Sequence, residues 1–213
     1  MKKKNISILQ YVLTILFVTA FLTSNILAAK QFQLPFGVSM TCGAIVFPIT
    51  YILSDLFSEV YGYKWSRITC YTAFAANAIM IIFFTIAIKL PAGTYWNSQE
   101  AFTTILGATP RMFVASSLGY ICGDLLNDKV FKKLKAKHED MTGFSLRAIL
   151  SSCAGEMCDS FVFIAIGLIG QMPVTSLITM WIAQVALKLG YEAIILPFTY
   201  LLTSRVARFE QVC

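Results

Sequence analysis

The sequence predicts an all-α, polytopic membrane protein with six transmembrane helices, and three observations carry that reading. Of the 213 residues, 57% are hydrophobic and 13% charged, with a mean hydropathy of +0.71. Soluble domains have roughly 45–50% apolar and about 25% charged residues. A chain of this size cannot hide the surplus in its own core, so its solvent is lipid. The second observation is a set of six apolar segments near the length of about 20 residues that a spanning helix needs. They are 8–29, 40–61, 68–90, 109–127, 146–170 and 176–203. The third is the distribution of basic residues between them. The length is that of a single domain, 1–213.

The first segment follows a basic start, "MKKKN", and has the outline of a signal peptide. Its apolar run, Ile8 to Ala29, is too long for an ordinary signal core, so it reads as an uncleaved first helix. The second and sixth segments contain Pro48 and Pro197. A proline inside a helix cannot donate to the carbonyl four residues back, which would free the carbonyls of Ala44 and Ala193. Such freed groups are tolerated in lipid only beside protein or a wet cavity. A packing kink is the simpler alternative.

With the N-terminus in the cytoplasm, thirteen Lys and Arg fall on the inner side: Lys2, Lys3, Lys4, Lys64, Arg67, Lys129, Lys132, Lys133, Lys135, Lys137, Arg147, Arg205 and Arg208. Only Lys30 and Lys89 fall outside, and Arg111 and Lys188 lie within spans. That bias places both termini in the cytoplasm. It also accounts for the net charge of +6 without nucleic acid, because "DKVFKKLKAKHED" becomes a basic cytoplasmic loop that can touch anionic lipid. His138, the one histidine, is then a solvated loop residue. Five of the six cysteines sit in apolar runs with no CxxC spacing, which reads as small hydrophobes rather than metal or redox groups.

Hydropathy leaves eight ionisable groups within or at the edges of spans: Asp55, Glu59, Arg111, Asp124, Glu156, Asp159, Lys188 and Glu192. A charge near mid-bilayer costs about 2.5–3.5 kcal/mol on insertion scales, so these groups face a protein interior, where they act or pair. Asp55 and Glu59 are i,i+4 on one helix face with Tyr51 and Ser58; Glu156 and Asp159 are i,i+3, flanked by Ser152 and Ser160. Lys188 and Glu192 are i,i+4, with Gln184 a turn earlier. "TSN" (Thr23, Ser24, Asn25) and Asn77 add neutral polar groups to the first and third spans.

Asp55, Glu59 and Asp124 fall in the cytoplasmic half of their spans, and the acids of the last two spans near the middle. Structural ion pairs, Lys188 with Glu192 or Arg111 with an acid, are the bland reading, and Gly119 with Gly123 reads as close helix packing. Two bases cannot neutralise six acids, however, and the excess favours a cation, a proton or a donor-rich ligand. A weak internal echo, "YILSDLFSE" (51–59) against "YICGDLLND" (120–128), is compatible with a parallel repeat. No enzyme motif stands out: "YICGD" lacks the first glycine of intramembrane aspartyl proteases, and no span holds a histidine.

"TSNILAAK", "GAIVFPITYILSDLFSEVYGYKWSR", "DKVFKKLK" and "RAILSSCAGEMCDSFVF", followed by Lys188, Glu192 and Pro197, closely resemble the queuosine precursor transporters, a group also known as the putative vitamin uptake transporter family. The resemblance covers nearly the whole chain. It implies a bacterial inner-membrane importer of 7-deazaguanine bases for tRNA queuosine salvage, related in fold to substrate-binding subunits of energy-coupling-factor transporters. It puts Asn25, Asp55, Glu59, Asp128, Glu156, Asp159, Lys188 and Glu192 at motif positions, and implies no cofactor or metal. The N1–H and exocyclic amine of such a base form a paired donor edge that a carboxylate accepts with both oxygens. Glu156 or Asp159 takes that edge, with Asp159 the firmer candidate, because where related sequences carry Gln at 156 an ionised group is not obligatory. Lys188 fixes an acid or a carbonyl. Tyr51, Phe57, Tyr120, Phe161 and Phe163 are candidates to face the ring. A substrate-binding subunit that needs a separate ATP-driven module is the alternative function, and a small-residue face at Ala73, Ala75, Ala76 and Ala78 would be its docking surface.

Overall fold

A computed structural model describes residues 7–135 and 144–212. The expectations for Lys2, Lys3, Lys4, Lys137 and His138 lie outside these residues, as do those for the side chains of Tyr51, Asp55, Asp128, Arg147 and Glu192. The chain is mostly helical, in order α1 (Ile8–Leu27), a hairpin of β1 (Gln31–Gln33) and β2 (Ser39–Thr41), α2 (Phe47–Leu56), α3 (Tyr63–Lys89), α4 (Gln99–Lys135), α5 (Phe144–Gly167) and α6 (Val174–Val212).

Among the described residues, four stretches are long and apolar enough to cross a membrane: Ile8–Leu27, Lys64–Lys89, Leu150–Gly167 and Val174–Tyr191. They correspond to the expected first, third, fifth and sixth spans. The expected fourth, 109–127, is helical throughout but lies inside the 37-residue α4. The expected second, 40–61, is not one helix. Its first residues form β2 and a tight 3-10 turn, Cys42–Ile45, and α2 starts only at Phe47.

Pro48 falls in the first turn of α2. There its missing N–H is one that has no intrahelical partner in any helix, so it starts the helix rather than loosening a span at Ala44. The hairpin, which apolar periodicity did not reveal, pairs Gln31 with Thr41, Phe32 with Met40 and Gln33 with Ser39. It turns through Pro35–Gly37, with Gly37 at φ 76°.

The chain resolves into two compact units. Unit 1 comprises residues 1–30, 42–107 and 191–213; unit 2 comprises 31–41 and 108–190. The core of unit 1 is aromatic. Phe17 and Phe21 of α1 meet Leu53 of α2, Phe57 just beyond it, and Ala73 of α3, with Tyr61, Trp65 and Phe74 packed around them. Phe57 stands edge-on to Phe17 at 6.1 Å and is fully buried, so it is core rather than a free ring face. The opposite side of α3 exposes Ile79, Ile82, Phe83 and Ile86, whose i, i+3, i+4, i+7 spacing makes one apolar stripe of the kind that meets lipid.

Two close approaches fix unit 1. A methyl on Gly43 would lie 2.8 Å from the Ser24 carbonyl oxygen, and the Ser24 hydroxyl donates to the Gly43 carbonyl at 3.2 Å. At the far end of α3, Gln99 donates to the Ile88 carbonyl at 3.1 Å, satisfying an acceptor that the helix end leaves open.

After α2 the chain widens into a five-residue π turn, Phe57–Tyr61, and breaks at Gly62 before α3. Gly62 has φ 87° and ψ 157°, with open space where a side chain would go. That backbone region is essentially closed to other residues and costs about 1–3 kcal/mol to occupy. Gly62→Ala is therefore expected to destabilise the protein by about 1–3 kcal/mol through backbone strain alone. Thermal unfolding of the purified protein in detergent reads this out, and an unchanged melting temperature would show that the turn accepts a side chain.

Candidate functional site

In unit 2, α4 and α5 meet through glycine. A methyl on Gly123 would lie 2.8 Å from the Gly155 carbonyl oxygen, and one on Gly155 would lie 2.9 Å from the Gly123 carbonyl oxygen. Near the end of α5, Gly167 leaves room for Met112 and Ala115. The Gly119–Gly123 spacing is thus a close-packing device, as small residues four apart are in membrane helices.

That seam positions an acid. A methyl on Gly119 would lie 2.6 Å from Asp159 Oδ1 and 2.9 Å from the Asp159 carbonyl oxygen. The Asp159 carboxylate occupies the space that the absent side chain leaves. From α6, Lys188 Nζ donates to Asp159 Oδ2. The same Nζ lies 2.8 Å from Glu156 Oε2, an ion pair by distance that lacks hydrogen-bond alignment. The Lys188 side chain is 14% exposed and each acid 17%, so all three are largely withdrawn from solvent. Three formal charges sum to −1, and Glu156 retains hydrogen-bonding capacity that Lys188 does not use.

The surroundings hold α5 and α6 in register. Trp181 Nε1 donates to the Met157 carbonyl at 3.0 Å, and the Trp181 ring stands edge-on to Phe161 at 6.1 Å. Phe161 is 60% exposed, which suits a lipid-facing ring better than a ligand wall. One turn beyond Glu156, Ser160 is fully buried with its hydroxyl unpartnered among the described residues. Gln184, one turn before Lys188, is buried as well.

Arg111 binds carbonyls rather than an acid among the described residues. Its Nε donates to the Ile166 carbonyl at 2.7 Å and its Nη2 to the Ile169 carbonyl at 2.5 Å. A guanidinium there satisfies the open carbonyls at the C-terminus of α5 and complements its dipole. Lys188 likewise reaches across to α5, a partner that spacing along α6 cannot reveal.

Of the sequence candidates, the structure brings together Glu156, Asp159 and Lys188. Asp124 is half-buried on α4. Asn25 and Glu59 belong to unit 1: Asn25 is buried and donates to the Phe21 carbonyl of its own helix at 3.0 Å, and Glu59 is exposed on the π turn. The backbones of Asp55 and Glu192 also belong to unit 1. Among the described residues, no three His, Cys, Asp or Glu side chains form a group that could hold a metal ion.

Residues 41–202 match the family described as "Putative vitamin uptake transporter". The chain belongs to this family. The match contains Glu156, Asp159, Lys188 and the glycine seam. A relative from Bacillus subtilis (strain 168), "Probable queuosine precursor transporter", is 23% identical over 181 residues, which cover 85% of this chain and 79% of the relative. No solved structure matches. As a member of the vitamin uptake transporters, with several apolar helices, the chain is a multi-pass membrane transporter and not an enzyme.

Two substitutions separate the parts of this site. Lys188→Met leaves two carboxylates facing each other and is expected to cost about 3 kcal/mol or more, the usual result of stripping one partner from a buried ion pair. Thermal unfolding in detergent checks it. Gly119→Ala pushes on the Asp159 carboxylate while leaving every charge in place. It is expected to impair transport and also to lower the melting temperature, because the methyl meets the Asp159 backbone carbonyl oxygen at 2.9 Å as well; equal transport by the variant would show that the carboxylate's position is not critical.

Proposed function

We propose that this protein is a six-helix importer of queuosine precursors, 7-deazaguanine bases, in the bacterial inner membrane, with both termini cytoplasmic. The single observation that carries the proposal is the Glu156–Asp159–Lys188 cluster. It gathers two carboxylates, with more acceptor sites than one ammonium fills, in a largely dry place. A 7-deazaguanine offers N1–H and an exocyclic amine side by side, and a carboxylate takes such an edge through two charge-assisted hydrogen bonds. The name of the B. subtilis relative supports the same substrate class.

Within the site the roles divide. Lys188 holds Asp159 against Gly119, and Glu156, 2.8 Å from the same Nζ, has carboxylate acceptor sites left for the ligand. This shifts the primary contact from Asp159, the firmer candidate on sequence grounds, to Glu156. Asn25, Asp55, Glu59, Asp124 and Glu192 enter only as further polar groups of the transport route.

Dependence on a separate ATP-driven module is the alternative. Its suggested docking face weakens, since Ala73 is fully buried in the aromatic core and Ala75 points to the exposed side of α3. Co-purification with ATPase subunits, and loss of uptake without them, would establish that arrangement.

The test is a strain unable to make queuosine, supplied with a 7-deazaguanine base. Queuosine in tRNA should appear only when the protein is expressed, and no rescue despite confirmed membrane expression would sink the proposal. Glu156→Gln keeps size and one acceptor but loses the charge. It is expected to weaken uptake by about tenfold, the effect of turning a charge-assisted contact into a neutral one. Full uptake by Glu156→Ala would move the ligand contact elsewhere.

A further inference from the structure

The buried face of α3 in unit 1 carries polar groups with no hydrogen-bond partner among the described residues. Asn77 is fully buried, and neither its Nδ2 nor its Oδ1 has a hydrogen-bond partner among the described residues. Thr69, two turns earlier on the same face, is 1% exposed with its hydroxyl unpartnered, and Trp65 Nε1 one turn before that is buried and unpartnered too. Between Thr69 and Asn77 lies Ala73, which is seated in the aromatic core.

The same residue types elsewhere in this unit satisfy themselves. Thr72 and Thr85, on other faces of α3, each donate to the carbonyl four residues back at 2.8 Å. Asn25 of α1 does the same toward Phe21 at 3.0 Å. Thr69 and Asn77 have that carbonyl within reach and do not use it. Buried polar groups are almost always hydrogen-bonded, and an unpaired one forfeits the bond it makes in water. Among the described residues, nothing supplies their partner.

We infer that Asn77 is a hydrogen-bonding station for the transported molecule, and that it takes a lactam or amide edge. The carboxamide offers one donor and one acceptor side by side, the complement of a ring carbonyl next to a ring N–H. Thr69, about 12 Å along the helix axis at 1.5 Å per residue, extends the polar face with a hydroxyl that can donate or accept. This station is neutral, unlike the ionic cluster of unit 2, so it suits an uncharged edge. The inference rests on the proposed substrate class and adds to it a contact in unit 1.

The test compares 7-deazaguanine, which has the lactam, with 2-amino-7-deazapurine, which lacks both the ring carbonyl and the N1–H. Binding of each to the purified full-length protein is measured for wild type and for Asn77→Leu, an apolar residue of similar size. Wild type should favour 7-deazaguanine, and Asn77→Leu should reduce that preference by about tenfold, as expected for losing one to two neutral hydrogen bonds. The ligand-free variant should melt no lower than wild type, because removing an unpaired buried amide costs the folded state nothing. An unchanged preference overturns the inference. A lowered melting temperature with unchanged preference does so as well, since the amide would then serve a structural water. Should Asn77→Leu fail to fold, Asn77→Gln, which keeps the amide but shifts it by one methylene, must show the reduced preference. Failure of wild type to bind 7-deazaguanine at all would overturn the substrate proposal itself, whereas normal wild-type binding with an indifferent Asn77 would overturn this inference alone.

Discussion

Lys188 held between Asp159 and Glu156 is the interaction on which unit 2 depends. An ammonium and two carboxylates withdrawn from water are costly singly, and their mutual attraction compensates only when the geometry is close. That closeness is prepared two helices away. Gly119 gives up its side chain so that the Asp159 carboxylate fits against α4, and Gly123 and Gly155 let the two backbones approach within van der Waals contact. In lipid, where helices gain no hydrophobic drive from meeting one another, such close packing is a principal source of association. The seam and the site are therefore one construction: the residues that hold α4 on α5 also set the position of the acid.

The other recurrent constraint is the open carbonyl at a helix end. α4 meets it twice, through Gln99 on Ile88 at the end of α3 and through Arg111 on Ile166 and Ile169 around the end of α5. Water would do this in a soluble protein. Near the hydrocarbon it falls to side chains, and an arginine that looks like an intramembrane charge is instead a cap.

Much of this was legible in the sequence where the signal is local. Composition announced the lipid solvent, four of the expected spans are helices of spanning length, and the Glu156–Asp159 spacing put both acids within reach of one partner. The Gly119–Gly123 spacing foretold tight packing. Misreadings arose where the decisive partner is distant in the chain. Lys188 has Glu192 one turn away, so local spacing offers that pair and gives no sign of the two acids 29 and 32 residues earlier, on α5, that also meet it. Arg111 has no local cue for carbonyls 55 and 58 residues on. Pro48 is ambiguous because the same ring breaks a helix in its interior and starts one at its first turn, and only the hairpin before it decides. Asn77 stood out as a polar residue in an apolar run, but its lack of any partner among the described residues is a property of the fold.

If Glu156 takes the ligand, as proposed, the arrangement there suits reversible binding better than a static ion pair would. A bridge of one lysine and one acid resists a ligand, because displacing either partner strands a charge in a dry place. Here one ammonium, Lys188 Nζ, serves two acids, Asp159 and Glu156. On the proposed function, a donor edge arriving at Glu156 would leave the hydrogen bond from Lys188 to Asp159 in place. For a carrier that is the useful condition, since a site that binds too tightly cannot release its cargo on the other side.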